Sequence, residues 1–583
     1  MSIRITPLIV FLLSHLTLSA QLTSGKMYES LQYATYLGGA DQEEAWPTPA
    51  VEEGPNGTFY IAGLTKSANF LADEAVINRF TDNRYNLFVC MIHPDSSSIL
   101  AGAVLGPVEG FRGVNMERDH QGNILVGGFN SDQGFESMGT GYRSQPNGGT
   151  DAVLFKLNGD LSEVIKQTCF GGSGDDELYG IRIINNSLYL IGTTKSTNLP
   201  VHDGAVQQNF MGVSTGEPDL FIARFDRNFT ILLGCTYLGG SGLEAGYLSQ
   251  ESTSLLITGF TGSNDYLVTE GAYDRTFNGF FDVILTRLSD DLSEIEASTY
   301  IGGAGGDFGY DCTVKDDHIF FTGHGAPGFP VTQNAYDRTY NGGPGGYDDA
   351  IVCKLNWDMT RLEASTFLGG NQFDNGVKIL IDPIGDVVVS GYTYSSNYPV
   401  IRNGWDQDFG GESDLFVTTM KPDLSDLTFS SFIGGSGEDR EVMMLKTEDD
   451  RLLLVSETES DDLQTTEIFH QDSLSGASDL AVFIFGEEPD LSAVNLASFL
   501  PQELGVTCRD QKVRFEFDLR EPDNIKMTLY DTMGNPIVSV NEFIHGIGSI
   551  TRVVSLKKTI DPGVYIGIVR GTNHLAYRKI SVL

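Results

Sequence analysis

The sequence predicts an all-β protein: a seven-bladed β-propeller followed by a small C-terminal β-sandwich. Three observations carry that expectation. A glycine-centred motif, best seen as Thr236-Tyr237-Leu238-Gly239-Gly240-Ser241-Gly242, returns with its first glycine at 38, 106, 171, 239, 302, 369 and 434, a spacing of 63–68 residues. A fixed period of this size marks a repeat architecture. Between the motifs lie apolar segments of four to six residues, rich in aromatic and β-branched types and bounded by Gly, Asn, Asp or Pro. That is strand grammar, with no sustained helical periodicity. Third, the composition changes near residue 505: residues 505–583 hold 11 Lys/Arg and 8 Asp/Glu, a balance of +3, in a chain of net charge -41, so the remainder carries -44.

In chain order, residues 1–20 read as a secretory signal peptide. Arg4 supplies the positive start, Leu8 to Leu13 the short apolar run, and Ser19-Ala20 the small residues before a cleavage point. No run of eighteen apolar residues occurs, so no transmembrane segment is expected in the mature chain.

Residues 21–486 are expected to form the propeller. In the best-preserved period, Cys169-Phe170 leads into the glycine turn Gly171 to Asp176. A segment Tyr179 to Ile184 follows, then a turn at Asn185-Asn186, then Leu188 to Gly192. A long polar connection comes next, and Asp219 to Arg224 closes the period. Seven periods of four strands close naturally as a ring, which hides most strand edges. An open solenoid is the alternative, but it needs capping ends that the sequence lacks. Two segments compete to complete the last blade, Leu31 to Leu37 and Val494 to Leu500; the first carries the full Gly38-Gly39 turn and is the expected choice. The six cysteines fall in different columns of the repeat and read as buried free thiols.

These residues resemble the bacterial β-propeller repeat family whose units read Tyr-Leu-Gly-Gly, Asp-x-x-Gly-Asn, Gly-x-Thr, Phe-Pro and Asp-Ala-Phe. Asp119-His120-Gln121-Gly122-Asn123, Gly391-Tyr392-Thr393, Phe329-Pro330 and Asp151-Ala152-Val153 carry the likeness over about four-fifths of the chain. The pattern wears at Val104-Leu105-Gly106-Pro107, which lacks the glycine pair, and at Ser456-Glu457-Thr458, which replaces Gly-x-Thr. The resemblance implies a fold and an extracellular setting, and no catalytic residues.

Residues 487–504, with Pro489 and Pro501, read as a linker. Residues 505–583 resemble the C-terminal sorting domain of type IX secretion cargo. Leu529-Tyr530-Asp531 with Gly534, Gly563-Val564-Tyr565 and the terminal Lys579-Ile580 carry that likeness. It implies passage through the periplasm to the cell surface or medium, with the outer-membrane secretion machinery as partner. An ordinary immunoglobulin-like accessory domain is the alternative.

Chemistry-bearing motifs are sparse. The nine histidines and six cysteines show no zinc spacing, and the glycine runs precede no helix that would cradle a phosphate. His324, in Gly323-His324-Gly325, reads as a structural residue in preference to a ligand or base. Asp175, Asp176, Asp307 and Asp439 sit beside glycines, which makes them calcium candidates. Turn chemistry is the preferred reading, because Asp in such turns bonds its own backbone and the fourth unit has Leu243-Glu244 instead. The acidic surface argues against nucleic acid and anionic lipid. The long connection carries aromatics, among them Tyr273, Tyr340, Trp405 and Phe409. Each alone is read as loop packing; together they are expected to mark the binding face, suited to a neutral glycan or a surface protein. The expected function is therefore a secreted or cell-surface, non-catalytic binding or scaffold protein without a cofactor. The alternative is a propeller glycan hydrolase or lyase, for which the departures from the repeat are scattered and assemble no catalytic set.

Overall fold

In the computed structural model each period of the propeller region folds into one antiparallel sheet. The structure describes residues 30–44, 49–71, 74–81, 84–94, 96, 98–108, 115–130, 141–212, 216–249, 254–343, 348–401, 404–466 and 470–486, and seven strands between 505 and 582. Among the described residues the helical content is a single 3-10 turn, Pro55–Gly57. The third blade is the prototype. From the axis outward it runs Asp176–Ile184, Ser187–Thr194, Asp219–Asp226 and Leu232–Leu238. Blades 2, 4, 5 and 6 repeat this order at 115–170, 244–301, 308–368 and 374–433. Blade 1, at 43–107, adds a parallel outer strand, Ala75–Asn78, that the sequence did not announce.

Seven sheets become a ring because alternate side chains on each sheet pack on the blades to either side. Ile191, Leu220 and Ile222 of blade 3 share a core with Leu255, Ile257 and Ile284 of blade 4. Each such side chain removed from water contributes about 1.5–3 kcal/mol. The chain ends close the ring as expected. Ser30–Leu37 is the outer strand of blade 7, antiparallel to Asp479–Gly486, with Ala34 opposite Phe483 and Leu37 opposite Leu480. The competing segment Val494 to Leu500 lies outside the described residues, as do residues 1–20 and the 487–504 linker.

The repeated motif has a separate task for each residue. The tyrosine hydroxyl ties down the chain that leaves the second strand: Tyr237 Oη accepts from Leu199 N at 3.0 Å and donates to Ser196 O at 2.7 Å. The threonine before it staples the long connection, as Thr236 Oγ1 donates to Gln207 O at 3.1 Å. The first glycine leaves room for two carboxyl groups, described below.

The long connection differs from its expected form. It leaves and rejoins the same face as the glycine turns, but its body descends the outer edge of the blade. It then straps to the hairpin of the next blade on the opposite face. Tyr273 N donates to Met359 O at 2.8 Å, Tyr336 N to Leu424 O at 2.9 Å, and Val206 N to Leu292 O at 2.9 Å. The accepting residues are buried and left-handed, with φ of 53°, 55° and 64° for Met359, Leu424 and Leu292. That backbone turns each carbonyl toward its neighbour blade.

The C-terminal region forms two antiparallel sheets, one of Gly505–Arg509, Lys512–Leu519 and Gly548–Ser555, the other of Pro536–Ile544, Asp523–Tyr530, Gly563–Arg570 and Leu575–Val582. Val513, Phe515, Met527 and Leu529 are buried. Tyr565 lies opposite Ile580 and Ile566 opposite Lys579, so two of the segments that carry the C-terminal resemblance are neighbours in one sheet. Gly534 lies outside the described residues.

Candidate functional site

The inner strands meet around the axis, and their register decides what lines the channel. In blades 3, 5, 6 and 7 the inner strand carries a β-bulge, between Leu178 and Gly180, Gly309 and Asp311, Gly376 and Lys378, and Arg440 and Met443. A bulge re-aims a side chain out of the regular alternation. The residues inside these bulges include Tyr179, Tyr310 and Glu441.

Blades 3 to 6 build an unbroken arc of rings at the glycine-turn end of the channel. Tyr179 stacks on Tyr247 at 5.9 Å, Tyr247 meets Tyr310 at 6.0 Å, and Tyr310 meets His324 at 5.7 Å. His324 touches Phe373 at 5.2 Å, and Phe373 touches Tyr392 at 6.1 Å. Behind His324, Phe308 stacks at 4.6 Å and continues through Phe281 to Phe280, which is 75% exposed. Next to the blade 6 end of this arc, blade 7 is charged. Arg440 pairs with Glu438 at 2.9 Å, and burial with the nearby Glu457 pushes Glu441 up to about 8. Burial, then the surrounding Tyr247, Tyr392, Glu441 and Asp348, hold the Tyr310 phenol far above its usual range.

His324 is buried and has two polar neighbours. Its Nε2 is 3.2 Å from Tyr310 Oη, and its Nδ1 is 3.1 Å from Asp348 Oδ2, out of line for a hydrogen bond. The residue read as structural from sequence thus belongs to a constellation at the channel mouth. Glu457, in the departing triplet Ser456-Glu457-Thr458, lies at the same end. The signal that could have found them was their shared column in the repeat, which also holds Thr193, Phe260 and Tyr392. The second strand places that column beside the channel.

The aromatics singled out in the connection have packing roles. Trp405 stacks on Phe485 of blade 7 at 3.6 Å, Tyr340 meets Phe367 at 6.0 Å, and Phe409 meets Phe432 at 5.7 Å. Tyr273 is 37% exposed at the outer strap. They do not form a ring on one face, because the connection runs down the blade edge.

The calcium candidates occupy a different repeated structure. Asp176, Asp307 and Asp439 are buried acceptors at the start of inner strands. Asp176 receives Gly172 N at 2.6 Å, Ser196 Oγ at 2.7 Å and the Thr194 hydroxyl. Asp439 receives Gly435 N and Ser460 Oγ, each at 2.8 Å, and Asp307 receives Gly303 N at 2.6 Å and Ala326 N at 2.9 Å. Hydrogen-bond donors serve each of them, and each shares the first glycine of its motif with one further buried carboxyl group. Asp175 is half-exposed and lies 3.5 Å from Lys195 Nζ. Among the described residues no three of His, Cys, Asp and Glu converge as a metal site. Cys90, Cys169, Cys235, Cys312 and Cys353 are buried free thiols, and desolvation pushes each thiol up from its ordinary range.

No protein-family model matches the chain. A stretch of 148 residues is 28% identical to the regulatory protein FlaEY of Caulobacter vibrioides, covering 24% of this chain and 15% of that protein. Solved structures similar to it include a polysaccharide lyase of family PL25, an ulvan lyase, at 8% identity and TM-score 0.40, covering 80% of this chain and 96% of that one. The WD40 repeats of RRP9 are similar at 8% identity and TM-score 0.38, over 79% of this chain and 100% of that one.

Proposed function

We propose that this is an exported cell-surface propeller that binds an uncharged saccharide at the glycine-turn end of its channel. The continuous arc of rings from Tyr179 to Tyr392 carries the reading. Such rings offer flat apolar faces to sugar C–H groups, and the neighbouring carboxylates offer acceptors to hydroxyls. The strongly acidic chain, at net charge -41, disfavours an anionic ligand. Export rests on the N-terminal signal pattern and on the likeness of residues 505–583 to type IX sorting domains.

The test is a glycan array with the secreted full chain, followed by titration of the best saccharide. Tyr247→Ala is expected to weaken binding by about tenfold or more, the scale of one lost aromatic contact. Tyr273→Ala, at the outer strap, is expected to leave it unchanged. The reverse outcome returns the site to the connection.

A second reading has its own observation. Within the arc, Tyr310 Oη is 3.2 Å from His324 Nε2, and Asp348 lies close to the other ring nitrogen, a grouping of the residue types that proton transfer uses. If the bound saccharide is cleaved, His324→Gln is expected to abolish turnover and retain binding.

A further inference from the structure

The six seams that carry the full motif repeat one unusual arrangement. The third strand of each blade opens on an aspartate, and the next inner strand opens on, or just after, a carboxylate. The pairs are Asp151 with Asp176, Asp219 with Glu244, Asp282 with Asp307, Asp349 with Asp374, Asp414 with Asp439 and Asp479 with Glu43, and all twelve residues are at most 1% exposed. Both members press on the first glycine of the motif. A Cβ placed on Gly302 would lie 2.5 Å from Asp282 Oδ1 and 3.0 Å from Asp307 Oδ2; on Gly434 it would lie 2.6 Å from Asp414 Oδ1 and 2.9 Å from Asp439 Oδ2. At the closing seam a Cβ on Gly38 would run into Asp479 Oδ1 and lie 2.7 Å from Glu43 Oε2, so this pair crowds its glycine like the others.

The two members are served differently. The inner-strand carboxylate is fed by donors on both oxygens: Asp374 takes Gly370 N at 2.7 Å, Ser395 Oγ at 3.0 Å and the Thr393 hydroxyl. The third-strand aspartate takes backbone N–H groups on Oδ2, such as Met211 N at 2.7 Å for Asp219 and Asn341 N at 2.6 Å for Asp349. In all six aspartates Oδ1 is buried and receives no hydrogen bond from the described residues. A buried, ionised oxygen without a donor is costly, whereas a protonated one becomes the donor itself. Blade 1 supports this. Its third strand opens on Asn86, an amide with the shape of a protonated aspartate, whose Nδ2 donates to Thr81 O at 3.0 Å.

We propose that each of these six seams holds one proton on Oδ1 of its third-strand aspartate, shared with the inner-strand carboxylate, so that ring closure is tied to proton binding. A metal ion does not fit the same place, because the N–H and hydroxyl donors around the inner carboxylate point positive charge at it. The charged groups facing the pairs are Asp175, Asp265, Asp274, Asp337, Asp348, Asp406 and Asp462, all of which favour a retained proton. Arg143 faces Asp151 and opposes it. The neighbouring Tyr36, Tyr237 and Tyr300 are pushed above their usual range and stay neutral.

Burial raises Asp219, Asp349 and Asp414 to about 7, and Asp151 and Asp282 to about 6, against an unfolded value near 3.8. The folded ring therefore holds more protons than the unfolded chain from about pH 4 to 7. The stabilisation is complete below that window and is lost as pH rises through 6 to 7. Each retained proton weakens the folding constant by up to about tenfold per pH unit inside it.

The experiment is thermal unfolding of the full chain from pH 4.5 to 9, with and without millimolar calcium or chelator. The midpoint is expected to fall from pH 5 to 8 and to ignore calcium. The triple variant Asp219→Asn, Asp349→Asn, Asp414→Asn carries permanent donors and is expected to keep the pH 5 midpoint and flatten the slope. Infrared spectra of the unaltered chain are expected to show buried protonated carboxyl carbonyls at pH 5 that diminish by pH 9. A midpoint that rises with pH, a calcium-dependent midpoint at pH 8, or spectra without those carbonyls at pH 5 would overturn the proposal, whether or not the triple variant folds.

Discussion

At the scale of single residues, the glycines divide by what surrounds them. Gly239 sits where a Cβ would lie 2.6 Å from Glu244 Oε2 and 2.8 Å from the Asp219 Cγ. Gly204 has φ of +89° but open space around it. Gly239→Ala is therefore expected to destabilise by about 1–3 kcal/mol, since a packed carboxyl must move. Gly204→Ala should cost about 1–2 kcal/mol through backbone strain alone. Urea unfolding separates them: Gly239→Ala should also alter the pH dependence of the midpoint, and Gly204→Ala should not. Thr393 illustrates the network around the inner carboxylate. Its hydroxyl donates to Asp374 and accepts Ser395 N at 2.9 Å. Thr393→Val keeps the shape but strands both partners, and is expected to lose about 1–3 kcal/mol by the same measurement.

At the scale of elements, the closing strand has the largest predicted consequence. Tyr33, Ala34, Tyr36 and Leu37 are buried against blade 7, and Tyr36 Oη accepts Leu463 N at 2.9 Å. Deleting residues 30–37 removes that packing, about 1.5–3 kcal/mol for each large side chain, and exposes the Asp479–Gly486 edge. The shortened protein is expected to unfold at lower temperature and to self-associate in size-exclusion chromatography. A monomer with an unchanged midpoint would mean that another segment fills the slot. The strand pattern itself was legible in the sequence, because β-branched runs bounded by turn residues recur with the motif. The bulges were not, since a bulge depends on the partner strand's hydrogen bonds. That is why Tyr310 and Glu441 drew no notice.

At the scale of the whole molecule, charge and domain order make a further prediction. Residues 1–504 carry -44 and residues 505–583 carry +3. If the latter are a sorting domain, deleting 505–583 should leave a folded propeller in the periplasm, detected by fractionation. Wild-type levels at the surface or in the medium would reject that reading. Among the described residues no helix is long and apolar enough to cross a membrane. By itself the sequence determined the number of blades, their order and the strand that closes the ring. These follow from local strand grammar and a period that each copy repeats. Only the tertiary structure decided where the chemistry sits. A residue's column in the repeat says nothing of its radial position until the sheets are wound around an axis. Winding carried Tyr273 and Trp405 to the rim, where the connection straps one blade to the next. It also brought His324 of blade 5 and Glu457 of blade 7, more than a hundred residues apart in sequence, to the same mouth. The six carboxyl pairs were hidden for the same reason: each joins acids more than twenty residues apart, and only their shared burial against one glycine makes them a pair.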